Sequence, residues 1–179
     1  MAIDPERSFT PINIAVLTVS DTRTAQDDTS GDILKARIEG AGHNLAARMI
    51  VRDSADAIVE QLGAWVSDPS IDAVISTGGT GLTGRDVTPE ALSRLRDGSG
   101  GRDIPGFGEL FRWLSFKTIG TSTIQSRACA IVTGGTYIFA LPGSNGAVKD
   151  GWDGILAEQL DSRNRPCNFV ELMPRLREV

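Results

Sequence analysis

The stretch STGGTGLTGRDVTPEAL, residues 76–92, joins an apolar segment to a helical pattern through a loop with four glycines. The apolar segment, Ile71–Thr77, is predicted to be a buried strand. Thr88 followed by Pro89 predicts a helix that has Thr88 as its N-cap. Backbone N–H groups in a glycine-rich loop and at a helix N-terminus attract anions. The stretch therefore predicts a strand–loop–helix unit that binds an anion, with phosphate as the expected group.

The segments upstream of this unit alternate between strand and helix patterns. Strands are predicted at Ile12–Ser20 and Asn44–Val51, and helical patterns follow at 32–41 and 54–66. This alternation is typical of a parallel sheet covered by helices on both faces. With 179 residues and 40% hydrophobic content, the chain suits one compact domain. The predicted fold is therefore a single-domain α/β protein, a three-layer α/β/α sandwich with a mostly parallel sheet.

Downstream, a short helix is predicted from Pro89 to about Arg96, and the composition of DGSGGRD, Asp97–Asp103, predicts a loop. Residues 104–120 begin with a turn and continue as a mostly apolar helix. One side of that helix carries Phe107, Leu110, Phe111 and Leu114.

The last third of the chain predicts a break in the parallel sheet. Two strand patterns, Ala128–Val132 and Tyr137–Leu141, flank a Gly-Gly pair and predict an antiparallel hairpin. After Pro142 and Gly143, Ser144 is predicted to cap a final helix, Asn145–Leu160. Ligands of open α/β sheets bind beyond the carboxyl ends of the strands. The loops VSDTR, STGGTG and LPGSN are therefore expected to converge there from three strands.

Two well-known phosphate-binding motifs nearly match the glycine-rich stretch. Gly79, Gly81 and Gly84 have the spacing of the dinucleotide fingerprint, but they do not open the first crossover helix as that motif requires. The spacing of Gly79 and Gly84 also fits a P-loop, except that Arg85 and Asp86 replace its Lys and Ser/Thr. Arg85 can bind phosphate and Asp86 can ligate Mg²⁺ as a hard oxygen donor. The alternative is that Asp86 only caps the next helix.

Two further charged residues have more than one interpretation. Asp53, directly after the second predicted strand, is by itself more often a helix cap or a solvated acid than a site residue. Arg127 precedes a predicted strand, where it can bind a phosphate or pair with a surface acid.

Composition excludes several classes of function. A formal net charge of −5 argues against a nucleic-acid-binding surface, because such surfaces are usually basic. Two cysteines without a Cys-x-x-Cys pair, and a single histidine, argue against a structural zinc site. No apolar run approaches the roughly 18 residues that a membrane span needs. A cytoplasmic protein with reduced thiols is expected, with a flexible N-terminus at residues 1–11 and a C-terminal tail at 164–179 that packs on the surface or on another subunit.

Taken together, these motifs resemble those of the MoaB/MogA family of molybdenum cofactor biosynthesis proteins, which includes the G domain of gephyrin. The resemblance covers nearly the whole chain, and its last three blocks are closer to the B-type proteins. The blocks are TVSDTR, DDTSG, STGGTGLTGRDVTPEAL, PGFGELFRWLSF, IGTSTIQSRA, FALPGS and SRNRPCNF. The resemblance implies one molybdopterin-binding domain over residues 1–179, homotrimers that can pair into hexamers, and other proteins of the pathway as partners.

The resemblance also implies an activity. Active members bind molybdopterin, a pterin with a dithiolene and a terminal phosphate, and adenylylate that phosphate with MgATP, releasing pyrophosphate. The alternative is a non-catalytic molybdopterin-binding or scaffold protein of the same pathway. Asp53 and Asp86 match the catalytic acids and the expected Mg²⁺ ligands. The expected pterin-binding and nucleotide-binding residues are Ser20, Asp21, Thr77, Gly78, Gly79, Thr80, Gly81, Arg85, Thr88, Pro105, Gly106, Gly108, Glu109, Ser126, Arg127, Pro142, Gly143 and Ser144.

Overall fold

One six-stranded sheet forms the centre of the structure, a computed structural model that describes residues 3–178. The strands are β1 (Asn13–Val19), β2 (Asn44–Val51), β3 (Ala73–Thr77), β4 (Arg102–Asp103), β5 (Cys129–Thr133) and β6 (Thr136–Leu141). They lie in the order β2-β1-β3-β6-β5-β4. The first four in this order are mutually parallel, and β5 and β4 are antiparallel to their neighbours. The predicted mostly parallel sheet is confirmed.

Helices cover both faces of this sheet. They are α1 (Thr29–Gly40), α2 (Ala55–Val66), α3 (Thr88–Ser99), α4 (Pro105–Ile119), α5 (Asn145–Gly151), α6 (Ala157–Gln159) and α7 (Phe169–Leu172). A π-helical turn, Trp152–Leu156, joins α5 to α6, so that residues 145–159 form one continuous helical segment. A 3₁₀ segment, Gly120–Gln125, follows α4, and a second, Met173–Arg175, follows α7.

The hydrophobic core consists of two layers, one on each face of the sheet. Side chains of α1, α4 and the 145–159 segment pack on one face, where Phe111 and Trp152 are buried. Side chains of α2 and α3 pack on the other face, where Leu62 and Leu92 are buried. This arrangement confirms the predicted three-layer α/β/α sandwich.

The predicted hairpin joins β5 to β6. Thr133 pairs with Thr136, and the two residues between them, Gly134 and Gly135, have φ angles of +58° and +88°. Two consecutive positive φ angles are typical of a type I′ turn, which glycine adopts without a steric penalty. The hairpin places the antiparallel strands at one edge of the sheet and leaves the carboxyl ends of β1, β3 and β6 adjacent.

The loop prediction for Asp97–Asp103 is wrong at both ends. Helix α3 continues to Ser99 and ends at Gly100, which has a φ of +66° and donates its N–H to the carbonyl of Arg96. The last two residues of the segment form β4 and pair with β5. Glycine and serine favour a loop, but glycine is also a common C-cap that ends a helix. The pairing of β4 with β5 joins residues that are distant in sequence, so local composition does not predict it.

Three details of the helix predictions are also corrected. Thr88 is not an N-cap: it is the first residue of α3 and makes no capping hydrogen bond, whereas Val87 precedes the helix. Helix α1 begins at Thr29, because the side chain of Asp28 accepts the N–H of Gly31 as its N-cap. Leu110 is 41% exposed, although it was assigned to the apolar side of α4.

The two ends of the described chain lie against each other. The N–H of Thr10 donates to the hydroxyl of Ser162 at 2.8 Å, and Phe169 packs against Tyr137 of β6, with 4.8 Å between ring centroids. The tail thus contributes to the core; the flexibility of residues 1–11 stays a prediction, and Met1 and Ala2 lie outside the described residues. None of the helices within residues 3–178 combines the length and apolarity that crossing a bilayer demands.

Candidate functional site

Four loops meet at the carboxyl end of the parallel strands. The loops after β1 and β2 are joined by two hydrogen bonds: Asp21 N–H donates to Asp53 Oδ2 at 2.9 Å, and Asp53 N–H donates to Asp21 Oδ1 at 3.3 Å. The loops after β3 and β6 are joined by the N–H of Gly78, which donates to the carbonyl of Leu141 at 2.9 Å. The predicted convergence of VSDTR, STGGTG and LPGSN is therefore confirmed.

In the glycine loop, residues 78–86, the backbone carbonyls of the first four residues are bonded within the protein. The carbonyl of Gly78 accepts the hydroxyl of Thr88 at 2.9 Å, and the carbonyl of Gly79 accepts the Thr88 N–H at 3.0 Å. Arg127 donates its N–H to the carbonyl of Thr80 and its Nε to that of Gly81, at 2.9 Å and 2.7 Å.

Two backbone N–H groups of the loop, in contrast, are not bonded within the described protein. Within residues 3–178, the N–H groups of Gly79 and Thr80 have no protein acceptor within hydrogen-bonding reach. Unpaired backbone donors at the end of a strand are suited to an anionic ligand. The N–H of Gly78 was predicted to join them, but it is bonded to Leu141 and is not free for a ligand.

Two positions in this loop require glycine. Gly78 and Gly79 have φ angles of +109° and +65°, which other residues rarely adopt. A Cβ on Gly78 would collide with the carbonyl oxygen of Val19, and one on Gly79 would collide with the hydroxyl of Thr88. The backbone of the glycine loop can approach β1 and α3 this closely only because both positions lack a side chain.

A pocket of about 290 Å³ opens beside the glycine loop, between α4 and the start of α5. Its walls include the apolar side chains of Phe111 and Ile119 in α4, together with small polar residues from several parts of the chain. Thr80, at the end of the loop, is 2% exposed, and its hydroxyl has no hydrogen-bond partner within the described chain. The lining residues are Thr80, Gly81, Phe111, Ser115, Thr118, Ile119, Thr123, Gln125, Ser126, Pro142, Ser144, Gly146, Ala147 and Asp150.

The unpartnered hydroxyl of Thr80 indicates which kind of ligand fits this pocket. A buried hydroxyl without a partner costs free energy unless a ligand or water completes its hydrogen bonds. Since Thr80 lines the pocket next to the free N–H groups, the pocket suits a ligand with an oxygen-rich group at this end and an apolar or aromatic body against Phe111 and Ile119.

Two acids flank the glycine loop, and their environments differ. Burial raises the pKa of Asp53, and the negative charges of Asp21 and Asp86 raise it further, against the lowering effect of the Asp21 N–H. The pKa of Asp86 is lowered, mainly by the hydroxyl of Thr83, which donates to its Oδ2 at 2.7 Å. Asp86 is thus held as a carboxylate, whereas the ionised form of Asp53 is disfavoured unless a cation is near.

The two arginines of the predicted site have different surroundings. The guanidinium of Arg85 is 78% exposed and lies 3.4 Å from Asp21 Oδ2. Arg127 is half-buried; besides the carbonyls of Thr80 and Gly81, it contacts the carbonyl of Asp86 and the carboxylate of Glu90. Of the two alternatives for Arg127, the structure shows the one in which it pairs with a surface acid, and its other bonds fix the loop.

Three other predicted ligand-binding hydroxyl groups are engaged within the protein. The hydroxyl of Thr77 donates to the carbonyl of Pro142 at 3.1 Å, and that of Thr88 donates to Gly78. The hydroxyl of Ser20 accepts the N–H groups of Thr22 and Arg23, both at 3.2 Å. The hydroxyl donors of Thr77 and Thr88 are thus used within the protein, whereas the hydroxyl oxygen of Ser20 is an acceptor in the turn after β1.

The β6 loop supplies pocket residues as predicted. Pro142 and Ser144 line the pocket, and the hydroxyl of Ser144 caps α5 by accepting the N–H of Ala147 at 3.2 Å. Ser126 also lines the pocket and accepts the N–H of Ala128 at 3.3 Å.

The structure does not bring the PGFGE segment to this pocket. Pro105, Gly106 and Glu109 are exposed in the first turns of α4, and Gly106 lines a separate groove with Phe169. Gly108 is buried where the carbonyl of Ala128 leaves no space for a Cβ. Gly108 thus allows α4 to pack closely on the segment before β5, and a ligand-binding role for the other residues of PGFGE stays a prediction.

The pocket residues that sequence reasoning missed lie further along α4 and in the 3₁₀ segment. Phe111, Ser115, Thr118 and Thr123 line the pocket without having been assigned to it. A signal exists for Ser115, which is a small polar residue four positions after the buried Phe111 on the same side of a mostly apolar helix.

The donor set for a metal ion is limited to a few carboxylates. Within residues 3–178, no group of three His, Cys, Asp or Glu side chains is placed to hold a metal ion. Mg²⁺ commonly takes one or two carboxylates and completes its coordination with water and substrate phosphates. Asp53 and Asp86 lie beside the glycine loop and would supply such carboxylates.

Fold and site together define a class: α/β proteins that bind a small anionic molecule between a glycine loop and a pocket, at the carboxyl ends of a mostly parallel sheet. Residues 15–162 match the sequence profile of a family described as "Probable molybdopterin binding domain".

Relatives of known name narrow this class. The chain is 50% identical over 161 residues to molybdenum cofactor biosynthesis protein B of Escherichia coli K12, covering 90% of this chain and 92% of that one. It is 41% identical to the protein of the same name from Bacillus subtilis, over 89% of this chain and 94% of the relative. A crystal structure of a molybdenum cofactor biosynthesis protein B superposes with a TM-score of 0.84 at 34% identity, covering 95% and 98% of the two chains. The chain belongs to the MoaB/MogA family of molybdenum cofactor biosynthesis proteins.

Proposed function

We propose that this protein acts in molybdenum cofactor biosynthesis by binding molybdopterin and adenylylating its terminal phosphate with MgATP. Family membership and the names of the relatives support the pathway. The observation that carries the proposal is the pair of free N–H groups on Gly79 and Thr80, next to a pocket that contains an unpartnered buried hydroxyl.

In this proposal the pterin lies in the pocket and its phosphate lies at the glycine loop. The aromatic and aliphatic side chains of Phe111 and Ile119 suit the pterin ring, and the hydroxyls of Ser115 and Thr80 suit its polar edges. The N–H groups of Gly79 and Thr80 then donate to phosphate oxygens, which also completes the hydrogen bonding that the loop lacks.

The two acids supply the second half of the proposed site. Asp53 and Asp86 would hold Mg²⁺ through carboxylate oxygens, and the ion would neutralise the charge of the reacting phosphates. Asp53 is suited to this role because its ionised form is disfavoured by burial and by the charges of Asp21 and Asp86. Without a cation, a phosphate beside two carboxylates would be repelled.

The reaction that we propose needs positioning more than covalent chemistry. A phosphate oxygen of molybdopterin forms a bond to the α-phosphorus of ATP, the bond to the bridging oxygen breaks, and pyrophosphate leaves with that oxygen. The chain contributes by holding the attacking phosphate in line through the glycine loop and by neutralising charge.

The direct test mixes purified protein with molybdopterin and MgATP under anaerobic conditions. We expect one pyrophosphate to be released for each adenylyl-molybdopterin formed. Asp86→Asn should lower kcat by at least about 100-fold, because the charge that faces Mg²⁺ is lost, while thermal unfolding stays close to that of the parent. Asp56→Asn is the matched control, since Asp56 is an exposed acid that pairs with Arg94 outside the site. Unchanged kcat in Asp86→Asn would refute the role assigned to Asp86.

A second candidate is non-catalytic binding of molybdopterin. The pocket and the free N–H groups favour it, because neither is formed by the side chains of Asp53 and Asp86. Binding of molybdopterin by calorimetry, without release of pyrophosphate in the presence of MgATP, would identify this function in place of the enzyme.

We also propose that the chain forms a homo-oligomer, with a trimer or a pair of trimers as the expected states. The support is an exposed apolar surface on α4 and the following 3₁₀ segment, here called the α4 surface. Trp113, Phe116 and Ile119 are 58%, 56% and 54% exposed, and Ile124 is 82% exposed. Exposed apolar patches of this kind commonly mark protein interfaces.

The cytoplasmic location stays a prediction.

A further inference from the structure

Arg23 links the loop after β1 to the loop after β6. Its Nη2 donates to the carbonyl of Gly143 at 2.8 Å, and its Nη1 contacts the hydroxyl of Ser30 and Asp28 Oδ1. Gly143 lies between Pro142 and Ser144, which both line the pocket. Arg23 does not itself line the pocket, so any effect on a ligand must act through the β6 loop.

The anchor for Arg23 is a fully buried carboxylate. Asp28 is 0% exposed and accepts hydrogen bonds from the hydroxyl of Thr18 at 2.8 Å, from Arg48 at 2.8 Å and from the N–H of Gly31 at 3.1 Å. Burial alone would raise the pKa of Asp28, but the hydrogen bonds and the charge of Arg48 lower it below its usual value. Asp28 is therefore a charged and rigid support for Arg23.

The bond to Gly143 fixes the direction of a backbone donor at the pocket. The peptide between Gly143 and Ser144 is trans and planar, so its N–H points to the side opposite its carbonyl. With the carbonyl held by Arg23, the Ser144 N–H is directed away from Arg23. In the described part of the chain this N–H has no protein acceptor.

The rest of the β6 loop is fixed in the same way. The carbonyl of Pro142 accepts the hydroxyl of Thr77, and the backbone of Gly143 lies so close to Gly78 that a Cβ would be 3.3 Å from the Gly78 Cα. Both carbonyls of the loop thus face the protein, as they do in the glycine loop, and the donor of Ser144 is left for a ligand.

We propose that Arg23 is a positioning residue, which orients the Gly143–Ser144 peptide so that its N–H binds an anionic oxygen of the ligand. The inference rests on the proposed function for the identity of that ligand, molybdopterin, whose phosphate supplies the oxygen. Arg23 acts through the carbonyl of Gly143 and makes no contact with the ligand. A loop held in the binding geometry before the ligand arrives loses less conformational entropy on binding.

The test compares Arg23→Met with Arg48→Met in the full chain. Both substitutions remove a cation from Asp28, but only Arg23 bonds to Gly143; Arg48 otherwise contacts Asp32 and the carbonyl of Asp28. Two quantities are measured: the amide chemical shifts of residues 143–145 without ligand, and the affinity for molybdopterin by anaerobic calorimetry. Arg23→Lys is a third variant, which keeps one donor for the Gly143 carbonyl.

We expect Arg23→Met to move the amide shifts of residues 143–145 and to weaken molybdopterin binding about tenfold or more. Arg23→Lys should recover part of that affinity. Arg48→Met should leave these amide shifts in place and change the affinity less than about threefold, even where it lowers the unfolding temperature. Unmoved shifts in Arg23→Met, or equal effects of the two Met variants, would overturn the proposal. If the parent protein does not bind molybdopterin, the proposed function fails, and the amide shifts alone decide the role of Arg23.

Discussion

At the scale of single residues, the site holds two acids under opposite conditions. Hydrogen bonds from Thr83 stabilise the carboxylate of Asp86, whereas burial and neighbouring negative charges disfavour that of Asp53. When the protein disfavours the ionised form of an acid, a nearby cation stabilises that form, and the acid then interacts favourably with the cation. Of the two acids, Asp53 is therefore the one that would gain more from the proposed Mg²⁺.

Removing the charge of Asp53 should stabilise the ligand-free protein at neutral pH. Its pKa is raised in the folded state, so the stability that its protonated form contributes is present below the unfolded pKa of about 4 and is lost as the pH rises through the folded pKa. Asp53→Asn keeps the acceptor for the Asp21 N–H and avoids this loss. We expect an increase of about 2 °C in Tm at pH 7 and none at pH 3, measured by calorimetry. A lower Tm at pH 7 would contradict the account given for Asp53.

Asp28 should show the opposite sign. Its pKa is lowered in the folded state, so its contribution to stability is present above the unfolded pKa of about 4 and is lost as the pH falls through the folded pKa. Asp28→Asn leaves Arg48 and Arg23 without their buried partner and should cost about 3 to 5 kcal/mol at pH 7. In urea unfolding, the difference between parent and variant should shrink as the pH is lowered from 5 to 3. A difference that does not depend on pH would mean that the charge of Asp28 is unimportant.

At the scale of elements, the glycine loop and the β6 loop share one design. In the first loop, the carbonyls accept hydrogen bonds from the hydroxyl and N–H of Thr88 and from the Nε and N–H of Arg127. In the second loop, they accept hydrogen bonds from the side chains of Thr77 and Arg23. A peptide whose carbonyl faces inward has its N–H facing outward. In the described chain, the residues that hold these carbonyls, Thr77, Thr88, Arg127 and Arg23, are not among those that line the pocket.

Gly79→Ala tests the strain and the close packing of the glycine loop. The variant must place a Cβ at a φ of +65°, against the hydroxyl of Thr88 and near Asp53. We expect a loss of about 1 to 3 kcal/mol in the free energy of unfolding and at least about tenfold weaker molybdopterin binding. Gly84→Ala is the control in the same loop, because a Cβ there meets nothing within 4 Å. Equal behaviour of the two variants would show that backbone geometry at Gly79 does not matter.

At the scale of the whole molecule, the α4 surface is a cluster of large apolar side chains that stay exposed in the described single chain. It lies next to the pocket, since Ile119 belongs to both. Formation of an oligomer through this surface would cover large apolar side chains close to the pocket mouth.

Phe116→Glu should therefore reduce the size of the oligomer. A charge placed in an apolar interface costs several kcal/mol, so we expect a shift from trimer or hexamer towards monomer in light scattering after size exclusion. Leu172→Glu is the control, because Leu172 is 45% exposed on α7, outside the α4 surface. An oligomer of unchanged size in Phe116→Glu would exclude this surface as the interface.

The architecture could be predicted because its signals are local and repeated. Apolar runs such as that of β3 predict buried strands, the Gly134-Gly135 pair predicts a hairpin, and glycine with hydroxyls between strand and helix predicts an anion-binding loop. The loop prediction for Asp97–Asp103 failed because glycine can serve more than one structural purpose. Gly100 ends α3 rather than forming a loop.

The sequence by itself determined the three-layer fold, the convergence of the loops after β1, β3 and β6, and the family. This was possible because strand and helix periodicity and the glycine motif involve residues that are close together in the sequence. Only the tertiary structure decided which groups remain free for a ligand. Whether the N–H of Gly78 or of Gly79 is available, and whether Arg127 or Arg23 supports a loop, depends on hydrogen bonds between residues that are distant in sequence. Such bonds depend on where the chain brings each carbonyl, which no local pattern encodes.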